Sequence, residues 1–207
     1  MKQETNLSTK RGKPAIVIEG PDGSGKTTLG EKLSKMLGLE YLHLTYIKDP
    51  EAMYEQFKAA DQKIAKGAVL VDRFILSNVA YAQATKSPFV QRSAHFLGNL
   101  VQRIVSGRVF HITCLPEPKT SYMVEFERLC KERDELYTSF DLMSRVYDLF
   151  KAEEGELWRM TRLSPRVMRY DRFSDTPMDE QLKNLFDLWP EEVLNLNSRA
   201  QGEQQEG

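Results

Sequence analysis

The chain has 207 residues, 41% of them apolar, and a formal net charge of −1. That supplies core for one α/β domain, and the balanced charge argues against a long nucleic-acid groove or a membrane-surface role. No apolar run approaches ~20 residues, which argues against a helical membrane span. The opening stretch "MKQETNLSTKRGKP" lacks the apolar segment of a secretory signal, and residues 1–13 read as a polar tail. Ala15-Ile16-Val17-Ile18 predicts a strand buried on both faces. Leu29, Leu33, Met36 and Leu37 then recur at helical spacing. "YLHLTY" predicts a second strand. "DPEAMYEQFKAADQKIAKG" predicts a helix that opens on Asp49-Pro50 and closes at Gly67. "AVLVD" predicts a third strand, "SPFVQRSAHFLGNLVQRIVSG" a helix, and "VFHITCL" a fourth strand. Two charged helical stretches follow, "KTSYMVEFERLCKERDELY" and "SFDLMSRVYDLFKAEEGELWRM". "RVMRYD" predicts a fifth strand, and Leu182, Leu185, Phe186 and Leu188 mark a last helix before a polar tail over 195–207.

Alternating strands and helices predict a five-stranded parallel sheet with helices on both faces, and ligands at the carboxyl ends of the strands. No internal repeat or linker divides the span 14–194. Cys114 and Cys130 have no metal-ligand companions at a recognisable spacing, which predicts reduced thiols and a cytoplasmic location. His43, His95 and His111 form no cluster in the sequence.

The chemistry is concentrated after the first strand. Gly20-Pro21-Asp22-Gly23-Ser24-Gly25-Lys26-Thr27 satisfies G-x-x-x-x-G-K-[ST], the phosphate-binding P-loop. Backbone N–H groups at a helix N-terminus can surround phosphate oxygens where no side chain crowds them, and Gly23 and Gly25 remove that obstacle. Gly20, Asp22, Ser24 and Thr28 complete the expected ATP site, Lys26 adds a point charge, and Thr27 offers a hydroxyl to Mg²⁺. Asp72, at the carboxyl end of the third strand, can orient the same ion. Glu19 stands near that ion in one reading and in a sheet-edge salt bridge in another. Arg73 follows Asp72, and its planar fork suits a second phosphate-bearing substrate. No N-K-x-D guanine-reading motif occurs.

Two segments together resemble a known family. "IEGPDGSGKTT" is similar to the E-G-x-D-G-x-G-K-T-T loop of thymidylate kinases, and "DRFILSNVAYAQATK" resembles their D-R-[YF]-x-x-S-x-x-A-[YF] signature. The resemblance implies a P-loop NTPase-type fold with a short helical lid, here about residues 117–137, and transfer of a phosphoryl group from ATP, with Mg²⁺, to a nucleoside monophosphate. It implies that Gly25, Lys26 and Thr27 hold the donor phosphates and that Arg73 holds the acceptor's phosphate. By the same resemblance Asp22 meets the deoxyribose 3′-hydroxyl, Ser77 lines the acceptor pocket, Tyr81 sits under the sugar, and Lys86 faces the acceptor. A homodimer packed through the helices after the third strand is implied as well. Structural alternatives stand beside these roles: Asp22 as a loop brace, Arg73 in a structural ion pair with Asp72 or Glu19, Ser77 as a helix N-cap, Tyr81 as a core aromatic and Lys86 as a solvated surface charge.

The chain also departs from the family. Thr45-Tyr46-Ile47-Lys48-Asp49-Pro50 replaces the usual Arg-Glu-Pro-Gly, leaving Tyr46 beside the acceptor, with Tyr54 and Phe57 as candidates to stack on the base. Gly23 stands where relatives carry a loop Arg, so charge for the transfer is expected from Arg128 and Arg133 of "EFERLCKERDELY". The expected acceptor is dTMP. The competing functions are a deoxynucleoside monophosphate kinase of broader base range, a deoxynucleoside kinase, with Glu19 or Asp72 as general base, and a non-catalytic nucleotide-binding regulator.

Overall fold

The computed structural model describes residues 13–45, 47, 49–86, 94–133 and 139–189, with the Arg133 side chain outside this set. Five strands, β1 (Ala15–Glu19), β2 (Glu40–His43), β3 (Val69–Asp72), β4 (Val109–Cys114) and β5 (Val167–Tyr170), form one parallel sheet in the order β2-β3-β1-β4-β5. The first strand is therefore central, with β3 on one side and β4 on the other. This is the open parallel sheet that the sequence predicts, with sites expected outside the carboxyl edge.

Period-two alternation divides the core into two layers. Ala15 and Val17 of β1 face one layer with α2 (Pro50–Lys66), α3 (Ile75–Ala84), α4 (Ala94–Val105), α5 (Lys119–Arg133) and α6 (Phe140–Met160). Ile16 and Ile18 face the other, against Leu29, Leu33 and Leu37 of α1 (Lys26–Leu37) and Leu185 of α8 (Lys183–Leu188). Each of those α1 leucines contributes ~1.5–3 kcal/mol by leaving water, whereas Met36, expected on the same face, is 38% exposed. Asp49 caps α2 by accepting from the Ala52 N–H at 2.7 Å, with Pro50 at the first position, and Gly67 ends it in a left-handed turn.

Three elements differ from expectation. Helix α3 follows β3 directly, where the resemblance implies a helix but the sequence pattern gives no bounds; Ile75, Leu76, Val79 and Ala80 have the spacing of a buried helix. Helix α4 spans Ala94–Val105, and its expected opening at Ser87-Pro88 lies outside the described residues. The last helix is split at Leu182 into α7 (Met178–Gln181) and α8. Among the described residues no helix is long and apolar enough to cross a membrane.

Candidate active site

The loop joining β1 to α1 is built by close approach. A Cβ on Gly20 would lie 2.2 Å from the Cys114 carbonyl oxygen, so only glycine lets β1 leave the sheet at this point. Gly23 and Gly25 have φ of 73° and 90°, which turn successive N–H groups inward. Ser24 is buried within the turn, and Thr27 and Thr28 are exposed at the start of α1. Lys26 is buried, and its ammonium donates to the Pro21 carbonyl at 2.6 Å. Burial first, and the Arg73 charge second, push its pKa below the ordinary lysine value.

Asp72 shares its strand face with Leu70 and so looks toward α1. Its Oδ2 accepts from the Thr27 hydroxyl at 3.0 Å and the Tyr41 hydroxyl at 2.7 Å, and lies 3.0 Å from His43 Nδ1. Tyr41 and His43 are two apart on β2 and reach it from one face. Asp72 is fully buried, and Oδ1 has no hydrogen-bond partner among the described residues. An orphaned carboxylate oxygen beside a threonine hydroxyl at the mouth of a phosphate loop fits a hard cation such as Mg²⁺.

Glu19 is different, and the metal role expected for it is corrected. It has the parity of Ala15 and Val17, which sends its side chain to the face opposite α1. There Oε1 accepts from the Leu76 N–H and Oε2 from the Ser77 N–H, both at 2.9 Å, and Oε2 also takes the Ser77 hydroxyl. Phe74 at the N-cap position of α3 makes no side-chain hydrogen bond, so a carboxylate from a neighbouring strand does the capping. Burial raises the Glu19 pKa, and these donors offset only part of that. Ser77 is buried with its hydroxyl committed to Glu19, which corrects its expected place in the acceptor pocket.

Arg73, Asp22 and Tyr81 are brought together. Arg73 adopts a left-handed conformation with φ 68°, a backbone cost on the order of 1 kcal/mol, while its N–H still bonds the Ile18 carbonyl at 2.9 Å. Its guanidinium is ion-paired with Asp22 and sits 5.9 Å from the centre of the Tyr81 ring. The Tyr81 hydroxyl accepts from the Asp22 N–H at 3.1 Å, and the Tyr122 hydroxyl donates to the Asp22 carbonyl at 2.6 Å. Burial alone would raise the Asp22 pKa, but Arg73 and then Lys26 outweigh it and hold it low. Burial likewise opposes the charge on Arg73, and Asp22 more than restores it.

The remaining expected residues are scattered. Tyr54 is half-buried against His95 and Phe96, with ring centres 5.9 and 5.6 Å away. Phe57 is 4% exposed and packs on Phe74 and Phe96 inside the core, where it cannot stack on a ligand. Lys86 follows the far end of α3, about 15 Å of helix from Arg73, and is exposed. Arg128 is exposed and bonded to Glu125 and Glu132 on its own helix. Tyr46 and the Arg133 side chain lie outside the described residues.

Sequence reasoning missed Tyr41, His43, Tyr122 and Arg172. Alternation along β2 could have placed Tyr41 and His43 together. For Arg172 the signal was plain: Asp-Arg-Phe ends the β5 segment just as it ends β3.

No protein-family model and no curated protein matches the sequence. Solved structures do match it. The YorR protein from Bacillus subtilis, in complex with phosphorylated GDP, superposes with TM-score 0.59 at 20% identity, covering 84% of this chain and 96% of its own. A deoxyadenosine kinase from M. mycoides with bound dCTP gives TM-score 0.50 at 14% identity, over 84% and 97% of the two chains. Thymidylate kinase from Candida albicans gives TM-score 0.50 at 16% identity, over 85% and 90%. At such identities the likeness is one of fold: an open, five-stranded parallel sheet between helices, with a phosphate loop after its first strand.

Proposed function

We propose that the chain is an ATP- and Mg²⁺-dependent phosphotransferase that converts a deoxynucleoside monophosphate, dTMP first among them, to the diphosphate. The observation that carries this reading is the grouping of Arg73, Asp22 and Tyr81 beside Asp72, which gives the carboxyl edge a second cationic site next to the donor loop. Thr27 and Asp72 would hold the divalent ion, which neutralises donor phosphate charge when bound. Lys26 exchanges the Pro21 carbonyl for phosphate oxygens, and the loop N–H groups hold the donor chain. Arg73 exchanges Asp22 for the acceptor's phosphate and leaves Asp22 free to accept from a sugar hydroxyl. Transfer is then direct and in line, with positioning and charge supplying the acceleration. The likeness in fold to a thymidylate kinase is compatible with a monophosphate acceptor, and that to a deoxyadenosine kinase with the competing nucleoside acceptor.

A nucleoside acceptor would need a free carboxylate as general base. Glu19 spends both oxygens on α3, and Asp22 is paired with Arg73. Asp72 is fully buried, with Oδ2 shared among Thr27, Tyr41 and His43, and Oδ1, without a partner among the described residues, assigned to the divalent ion. That favours the monophosphate. An ADP-release assay across deoxy- and ribonucleoside monophosphates and nucleosides tests the reading: dTMP should turn over and thymidine should not. The reverse result would make the protein a nucleoside kinase, and ATP binding without transfer to any acceptor would make it a regulator. Arg73→Ala should cost ~2–5 kcal/mol in kcat/KM for the monophosphate with little change in ATP affinity, and Arg73→Lys should recover only part, because a point charge lacks the two parallel donors.

A further inference from the structure

Asp-Arg-Phe recurs at the carboxyl ends of two strands on opposite sides of β1, as Asp72-Arg73-Phe74 at the end of its neighbour β3 and as Asp171-Arg172-Phe173 just after β5, which lies beyond β4. The second copy has no part in the function proposed above. Asp171 shapes its turn, Oδ1 accepting from the Phe173 N–H at 2.9 Å and Oδ2 from the Glu117 N–H at 3.0 Å. The turn lays Arg172 across the phosphate loop: a Cβ built on Gly25 would lie 3.1 Å from Arg172 Cδ and 3.6 Å from its Cβ. The guanidinium is 4.7 Å from the centre of the Phe173 ring, and one terminal nitrogen is 3.0 Å from Glu125 Oε1. Its Nε–H is buried without a partner among the described residues. The charge is felt at Tyr122, whose hydroxyl is bonded to Asp22 of the loop.

Beyond Lys26, the loop is short of cations for the donor among the described residues: Gly23 supplies none, Arg128 is engaged by Glu125 and Glu132, and Lys131 by Glu127. We propose that Arg172 binds the polyphosphate chain of the donor nucleotide, delivered by the turn after β5, and that Glu125 is its counter-ion until a nucleotide arrives. The inference rests on the phosphotransferase reading, which supplies the polyanion. Exchange of partners is inexpensive on the protein side, because Glu125 keeps two bonds to Arg128, at 2.7 and 2.8 Å, when Arg172 leaves. A chain of phosphate oxygens offers an acceptor to Nε as well as to the terminal nitrogens, which one shared carboxylate oxygen does not.

The test is calorimetric titration of the full chain with tripolyphosphate, ATP and adenosine. Arg172→Ala should weaken tripolyphosphate and ATP by about tenfold to a hundredfold, the scale of a lost charge-assisted hydrogen bond, and leave adenosine unchanged. Arg172→Lys should restore part of the loss. Glu125→Gln should tighten tripolyphosphate several-fold, and the double variant should lack that gain. The Glu125→Gln single variant keeps the test decisive if Arg172→Ala folds poorly. Wild-type tripolyphosphate affinity in Arg172→Ala, or no tightening in Glu125→Gln, overturns the assignment and leaves the kinase reading standing. Equal losses on adenosine and ATP overturn it by making Arg172 a base-stacking residue. A wild-type protein that binds neither tripolyphosphate nor ATP sinks both readings.

Discussion

Glu19 and Asp72 are both fully buried acids at the carboxyl ends of adjacent strands, and one alternation of side chains gives them opposite employment. Asp72 faces α1 and the phosphate loop; Glu19 faces α3 and caps it. The capping role has a measurable cost. Glu19→Ala leaves the Leu76 and Ser77 N–H groups and the Ser77 hydroxyl buried without their acceptor, so urea unfolding should show a loss of ~2–4 kcal/mol. A loss under about 0.5 kcal/mol would mean that α3 finds its acceptors elsewhere. Because α3 carries Tyr81 on its inner side, the same variant should also loosen the hydrogen bond that Tyr81 accepts from the loop at Asp22.

At the scale of elements, the strands were legible because a parallel sheet buries both faces and its strands read as continuous apolar runs. The P-loop was legible because close backbone approach and phosphate cradling admit few residue types. What stayed hidden were contacts set by register. Tyr41 meets Asp72 only because β2 pairs with β3 so that Tyr41 stands opposite Leu70 and His43 opposite Asp72, and no local pattern states that register. Arg172 required knowing that β5 joins the sheet beyond β4, on the side of β1 away from β3. Phe57 was misjudged because an aromatic at i+3 from another reads alike on a core face and a ligand face. Helix α1 gives a test of such packing. A Cβ on Gly30 would lie 2.7 Å from Tyr41 Cε2 and 3.2 Å from Leu70 Cδ2. Gly30→Ala gains about 1 kcal/mol in helix propensity but forces the Tyr41 ring away from α1 at a cost of ~1–3 kcal/mol. Urea unfolding should therefore show no net gain, and a gain of about 1 kcal/mol would show that the ring moves freely.

For the molecule as a whole, acid sensitivity should be written into the central layer. His111 lies in β4 on the face shared by Val17 and Val167, fully buried, with neither ring nitrogen bonded among the described residues. Burial pushes its pKa down to about 3. The unfolded chain restores the ordinary value of about 6.5, so between those limits the unfolded state binds the extra proton. Above pH ~6.5 the ring is neutral in both states and its titration contributes nothing, and stability is then lost progressively as pH falls, by about 4 kcal/mol at pH 3. His111→Leu removes the titration. Its urea stability relative to wild type should improve by ~2 kcal/mol between pH 7 and pH 5; parallel pH profiles for the two proteins would show that the folded state protonates His111 in place.

The Asp22–Arg73 pair has a consequence for what stays out. An arginine waiting bare at a strand edge would collect whichever small anion is most abundant, and every such visitor would have to be evicted before turnover. With Asp22 already seated on the guanidinium, sulfate or inorganic phosphate must displace a carboxylate and gives it nothing in exchange. On the proposed function a nucleotide would bring a phosphate for Arg73 and a hydroxyl for Asp22, and so would leave neither charge stranded. Selection against bare anions would then rest on the Asp22–Arg73 pair itself, an internal occupant that only a bifunctional ligand can replace on equal terms.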